Sequence, residues 1–263
     1  MQQFEAALWF RQMRWSFRLG KVAGTEVRLH LTFFILLAAF GWMFYAEGGV
    51  AAAVDGVAFI VAVFGCVLLH EFGHTLTAAK FGIRTPDITL LPIGGLARLE
   101  RMPEKPVQEL LVALAGPAVN VVIAGVLFVI VGFPNPPADI ESILQIPFGQ
   151  RLLVANISLV LFNMIPAFPM DGGRVLRALL AMLISYGRAT EVAATIGQLL
   201  AVLGAIFAIK SGALLLVLIA LFIFLAARSE SRMVQARIAL AAVPWVDLET
   251  HEARDRPDHE APR

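Results

Sequence analysis

The sequence predicts an all-α membrane protein of about six transmembrane helices, with a small membrane-associated β-hairpin. Three observations predict it. The chain is 59% hydrophobic and only 16% charged, where soluble domains average about a quarter charged, and its mean hydropathy is +0.77. Apolar runs of about 17–25 residues, enough to cross about 30 Å of hydrocarbon, recur along the sequence. Basic side chains gather in alternate connections between those runs. The net charge of +1 gives no electrostatic case for nucleic acid, so the lipid bilayer is the partner that composition names.

Residues 1–28 read as an N-terminal cytoplasmic or interfacial segment. Phe4, Leu8, Trp9, Met13, Trp15 and Phe17 are mixed with Arg11, Arg14 and Arg18, which suits a helix over Met1–Gly20 lying on the membrane surface. The basic leader is too long for a cleaved signal peptide, and the aromatic run after it has no convincing cleavage site. The core, residues 29–227, holds spans near Leu29–Tyr45, Val50–Leu69, Val107–Phe133, Leu152–Pro166, Glu191–Ile209 and Ser211–Ala227. Between the second and third, Pro86–Glu100 reads as the hairpin, with Gly94-Gly95 as its turn. Residues 228–263 form a cytoplasmic tail, disordered in part, because Val246–Arg263 is dense in charge and proline. His251 and His259 belong to that solvated tail rather than to a metal site. The single Cys66 lies inside an apolar span, where it packs as a small hydrophobe and forms no intramolecular disulfide.

Orientation follows from Lys and Arg. Arg11, Arg14, Arg18, Lys21 and Arg28 precede the first span. Lys80, Arg84, Arg98, Arg101 and Lys105 lie between the second and third, Arg174, Arg177 and Arg188 between the fourth and fifth, and Arg228, Arg232 and Arg237 after the sixth. The opposite connections hold Glu47 and Asp55, Asp139 and Glu141, and Lys210 alone. Both termini are therefore expected in the cytoplasm, with a multi-pass protein of the cell membrane between them.

The second span runs directly into His70-Glu71-Phe72-Gly73-His74. On a helix, residues four apart share a face, so both imidazoles can reach one metal ion, with Glu71 between them to handle the proton of a water. Ionisable groups at membrane depth are rare without a role, and this outweighs a chance match. Two histidines need a further protein ligand that leaves a position open. Asp171 is the candidate: Pro166 and Pro169 stop a helix before it, and Gly172-Gly173 lets the backbone turn after it. By spacing alone Asp171 serves equally as a helix N-cap. Asn120, Asn156 and Asn163 lie in apolar helices; helix–helix hydrogen bonding is the reading for Asn120 and Asn156. His30 reads as interfacial or structural, since a fourth protein ligand would close the site.

His70–His74 together with Asn163 through Arg174 resembles the site-2 protease family of intramembrane zinc metalloproteases, near its sporulation-factor-protease-like branch. Arg18–Gly24 with His30, Pro92-Ile93-Gly94-Gly95, and Ala115-Gly116-Pro117-Ala118-Val119-Asn120 are also similar. The resemblance implies one Zn²⁺ per chain held by His70, His74 and Asp171, with Glu71 as general base. It implies a transmembrane protein substrate, of which an anti-sigma-type regulator is one kind, cut by regulated intramembrane proteolysis. It further implies that Asn163, Gly94 and Gly95 contact substrate or stabilise the intermediate. Unlike many relatives, this sequence has no room for paired nucleotide-sensing domains and no inserted PDZ domain. A zinc transporter is the main rival reading, set back by the lack of a visible inverted repeat. A catalytically dead scaffold is the second, set back by the intact Glu71. A serine mechanism has no Gly-x-Ser-x-Gly elbow to rest on.

Overall fold

In the computed structural model the described residues are 15–101, 103, 105–133 and 146–242. The first fourteen residues, the connection around Asp139 and Glu141, and the tail with His251 and His259 lie outside them.

Strand β1 (Ser16–Val22) turns at Ala23-Gly24 and pairs antiparallel with β2 (Thr25–His30). Both turn residues have positive φ, 51° and 87°, the pattern of a tight hairpin turn. Ser16–Gly20 is thus strand, not part of the surface helix expected over Met1–Gly20. The reason is visible in the alternation: Trp15, Phe17 and Leu19, two apart, are 63%, 55% and 60% exposed, the period of a strand with one apolar face. The Phe17 ring meets Phe34 edge-on at 5.7 Å, so this face continues onto the first helix.

Helix α1 (Leu31–Lys80) begins at His30, whose side chain caps it by accepting from Thr32 N at 3.3 Å. His30 is therefore structural, as its position implied. The helix breaks at Gly48-Gly49, with Gly49 at φ 67°, into arms of residues 31–47 and 50–80. The arms fold back on each other: the Phe33 and Phe64 rings lie 4.7 Å apart, and a Cβ on Gly41 would sit 3.2 Å from Val57 Cγ2.

After α1 the chain returns to the sheet. β3 (Asp87–Leu91) runs parallel to β2, and β4 (Gly94–Ala97) runs antiparallel to β3, giving four strands in the order β1-β2-β3-β4. The expected hairpin is present but its turn is not at Gly94-Gly95. Leu91 pairs with Gly94 and Leu90 with Gly95, so Pro92-Ile93 make the turn and both glycines lie in β4. Proline's fixed φ suits a turn's first central position.

The remaining helices are α2 (Pro106–Val131), α3 (Phe148–Asn163), α4 (Asp171–Ala181), α5 (Tyr186–Lys210) and α6 (Leu214–Ala242). Among the described residues, four helices are long and apolar enough to cross a membrane. The two arms of α1 make that five crossings. The fourth expected span, α3, is the shortest, 16 residues or about 24 Å at 1.5 Å per residue, and it returns the chain to Asp171 beside His70 and His74. Outward faces are apolar, with Val129, Leu214 and Leu215 at 83%, 73% and 70% exposure, as lipid contact requires. The inward stripe of α5 is small: Gly187, Ala189, Ala193, Ala194, Gly197 and Ala201 are buried. Small residues let membrane helices approach closely, and a Cβ on Gly197 would lie 3.0 Å from Ala167 Cα. Phe168, Ala193, Ala194 and Ala227 close one core and Ala78, Ile83 and Val112 another. Helix α6 continues past residue 227, where the tail was expected to begin, to Ala242; in that stretch Glu230 pairs with Arg177 of α4 and Val234 is buried.

Candidate metal and catalytic site

His70 and His74 lie on one face of the second arm of α1, four residues apart, and both are buried. Their rings stand nearly perpendicular with centroids 4.7 Å apart, which turns both Nε2 atoms toward one point. His70 Nε2 is 3.1 Å from His74 Nε2 and 3.1 Å from Asp171 Oδ2; His74 Nε2 is 3.2 Å from the same oxygen. The three donors form a nearly equilateral triangle. A tetrahedral ion about 2.0 Å from each donor spans edges of about 3.3 Å, so the triangle fits zinc in size.

The chemistry of the donor set fits as well. His74 Nδ1 lies 2.7 Å from Val112 O, a carbonyl that can only accept, so Nδ1 carries the proton and Nε2 presents a lone pair. That lone pair faces a carboxylate oxygen and a second imidazole nitrogen inside a buried site, an arrangement that a cation relieves. Among the described residues this is the group of His, Cys, Asp and Glu whose ligand atoms lie within 4.8 Å of one another.

Asp171 is delivered by a tight loop. Met170 holds the N-cap position of α4 and Asp171 is the first residue inside the helix, so the capping role that spacing allowed is not the one observed. Its carboxylate turns inward to the histidines. The glycines after it are there for space. A Cβ on Gly172 would fall 2.3 Å from Ile165 O, and one on Gly173 would fall 2.7 Å from Ala167 C. Any larger residue would push the start of α4, and Asp171 with it, off the loop.

Glu71 points to the sheet. A Cβ on Gly95 would lie 2.5 Å from Glu71 Cγ and 2.9 Å from Oε1, so β4 passes against this carboxyl group. The structure thus brings Gly95 to Glu71, while Gly94, at φ 132°, stands in open space. Asn163 ends α3, and its amide donates to Leu159 O of the same helix at 2.9 Å.

Three features were not legible as site residues in the sequence. Gly116 of α2 faces the histidines: a Cβ there would sit 2.2 Å from His74 Nε2 and 2.6 Å from His70 Nε2. Asn120, one turn on, has Oδ1 2.5 Å from His70 Nδ1. Arg177 of α4 is fully buried and ties Asp171's helix to two others. Its Nε donates to Glu109 Oε1 of α2 at 2.9 Å and its Nη1 to Glu230 Oε1 of α6 at 2.5 Å. Phe168 and Tyr186 flank its guanidinium at 4.9 and 5.1 Å. Burial opposes the charge of Arg177, but the Glu109 carboxylate, with Tyr186 and Glu230, holds its pKa above the ordinary value. In the sequence Arg177 read as an orientation signal; its burial depends on partners far away in sequence.

The chain matches the sequence model of peptidase family M50 over residues 58–145 and 139–204. It is 36% identical to a zinc metalloprotease of Methanocaldococcus jannaschii, covering 90% of this chain and 67% of that protein. It is 30% identical to a putative zinc metalloprotease of a Synechocystis species, covering 86% of this chain and 62% of that protein. Among solved structures, the site-2 protease from Methanocaldococcus jannaschii superposes with a TM-score of 0.59 at 35% identity, over 82% of this chain and 95% of that one. The chain spans about two thirds of the length of these curated relatives.

Proposed function

This chain belongs to peptidase family M50, the membrane-embedded zinc metalloproteases of the site-2 type, and on that premise we propose that it hydrolyses a peptide bond in or near a transmembrane segment of a membrane-anchored protein. The observation that carries the reading is the buried triangle of His70 Nε2, His74 Nε2 and Asp171 Oδ2, with Glu71 beside it and β4 running past Glu71.

When bound, zinc supplies the Lewis acidity that polarises a carbonyl and makes water acidic near neutral pH. His70, His74 and Asp171 would hold it, three protein ligands being the number that a catalytic zinc site uses. Glu71 takes the proton of the attacking water and passes it to the leaving amide nitrogen. A helical substrate keeps its peptide bonds within its own hydrogen-bond ladder, so it must unwind before it is cut. β4 is an edge strand of the sheet, and an extended substrate segment that adds to it exchanges its helical hydrogen bonds for strand ones. Gly94 and Gly95 leave the backbone bare for that approach, and Asn163 serves as the further substrate contact. The substrate class we favour is a membrane-anchored regulator of the anti-sigma type, cut in regulated intramembrane proteolysis. The positive charge of Lys80–Lys105, Arg174–Arg188 and Arg228–Arg237 supports a cytoplasmic position for the site and for both termini.

The test uses the purified chain in lipid vesicles with a tagged transmembrane substrate, and zinc flux measured in the same vesicles. Glu71→Gln should retain zinc and lose cleavage, because the amide cannot take a proton. Normal cleavage by that variant would remove the general-base role. Zinc flux without any cleavage by the unaltered chain would favour the transporter reading instead.

A further inference from the structure

Three helices meet at a run of buried amides next to the metal site. Asn120 of α2 and Asn156 of α3 are both 0% exposed, and Cys66 and His70 come from α1. The direction of every hydrogen bond in this run follows from its far end. Leu152 O, 2.9 Å from Asn156 Nδ2, is a carbonyl and can only accept. That fixes the Asn156 nitrogen toward it, and the same nitrogen also contacts Cys66 Sγ at 3.4 Å. Asn156 Oδ1 is thereby turned to Asn120, whose Nδ2 donates to it at 2.8 Å. Asn120 is left with only Oδ1 for His70 Nδ1, at 2.5 Å. An acceptor there requires the proton on Nδ1, which leaves Nε2 bare toward Asp171.

We propose that Asn156 and Asn120 act as a two-step positioning device that fixes the tautomer and ring orientation of His70, and through it the affinity of the site for zinc. The two histidines are secured differently. His74 leans on Val112 O, a backbone acceptor that has one polarity. His70 leans on an amide, which has two ends. An unconstrained Asn120 could rotate and present its nitrogen, selecting the tautomer with hydrogen on Nε2 and setting that hydrogen against the metal. Asn156 removes that alternative by accepting from the Asn120 nitrogen. Outer-shell partners of this kind typically contribute about 10–100-fold in metal affinity.

The proposal rests on the reading of His70 as a zinc ligand, so the test measures zinc affinity directly. The full chain in detergent micelles is titrated against a chromophoric chelator, with thermal unfolding run alongside. Asn120→Leu should weaken zinc by about 10–100-fold. Asn120→Asp keeps an acceptor on His70 Nδ1 but sets its other oxygen against Asn156 Oδ1, so it should bind zinc more tightly than Asn120→Leu while lowering the unfolding temperature. The deciding comparison is Asn156→Leu in two backgrounds. With Asn120 present it should weaken zinc by roughly tenfold; with Asn120→Asp it should cost nothing, because a carboxylate has no wrong end to show. An equal loss in both backgrounds would make Asn156 a packing residue and overturn the proposal. So would unchanged affinity in Asn120→Leu. A chain with intact Asn120 and Asn156 that binds no zinc at all would instead strike the metal reading beneath it.

Discussion

Gly116→Ala should disable the metal site with a single methyl group. The added carbon would lie 2.2 Å from His74 Nε2, 2.5 Å from its Cε1 and 2.6 Å from His70 Nε2. An ordinary contact is about 3.5–4.0 Å, so the overlap with His74 is roughly 1.3 Å. Flexible side chains can absorb such an overlap, but these rings are pinned at their other nitrogens, His74 by Val112 O and His70 by Asn120 Oδ1. Both pins are on α2 itself, so moving α2 away drags the rings' supports with it. Either response displaces the donors by about 1 Å, and functional constellations tolerate only about 0.5 Å. We expect zinc affinity to fall at least about 100-fold, at an overpacking cost to stability of only about 1–3 kcal/mol. Chelator competition measures the first and thermal unfolding the second. The control is Gly125→Ala on the same helix, where a Cβ meets nothing within 4 Å; it should leave zinc binding untouched. Wild-type zinc affinity in Gly116→Ala would refute the reasoning, since it would mean the rings are not held where their hydrogen bonds put them.

Further outcomes are open to the same kind of check. Asp171→Ala should lose zinc, leaving two histidines, and Asp171→Glu should lose most of it because one more methylene misplaces the oxygen; stoichiometric zinc at unaltered affinity in purified Asp171→Ala would demote Asp171 from ligand to helix-starting residue. Arg177→Met should destabilise by about 3–5 kcal/mol, since it strands the buried Glu109 carboxylate, and adding Glu109→Gln should recover part of the loss; an unchanged unfolding temperature in Arg177→Met would remove the network from the account of stability. Reporter fusions beyond residue 242 should report cytoplasm and those within residues 134–141 the opposite side; two reports from one side would show that the crossings are miscounted.

What the sequence determined by itself are the properties that local spacing can carry. Apolar runs give the spans because crossing hydrocarbon needs length in one continuous segment. His70, Glu71 and His74 are legible because a helix repeats every 3.6 residues wherever it lies. Asp171 was legible as a candidate because prolines and glycines break the helix on either side of it. Even so, local rules left its role divided between cap and ligand. The tertiary structure decided the rest, and for one physical reason: close approach between segments far apart in the chain has no local signature. His70 meets Asp171 across 101 residues and Asn120 across 50. Gly116 and Gly95 matter for what passes over them, and nothing near them in sequence says that imidazoles and a carboxylate do. Arg177 shows the limit most plainly. Its charge counts as a topology signal when read along the chain, yet its side chain is fully buried between Glu109 and Glu230, because only the packed helices bring two carboxylates to it.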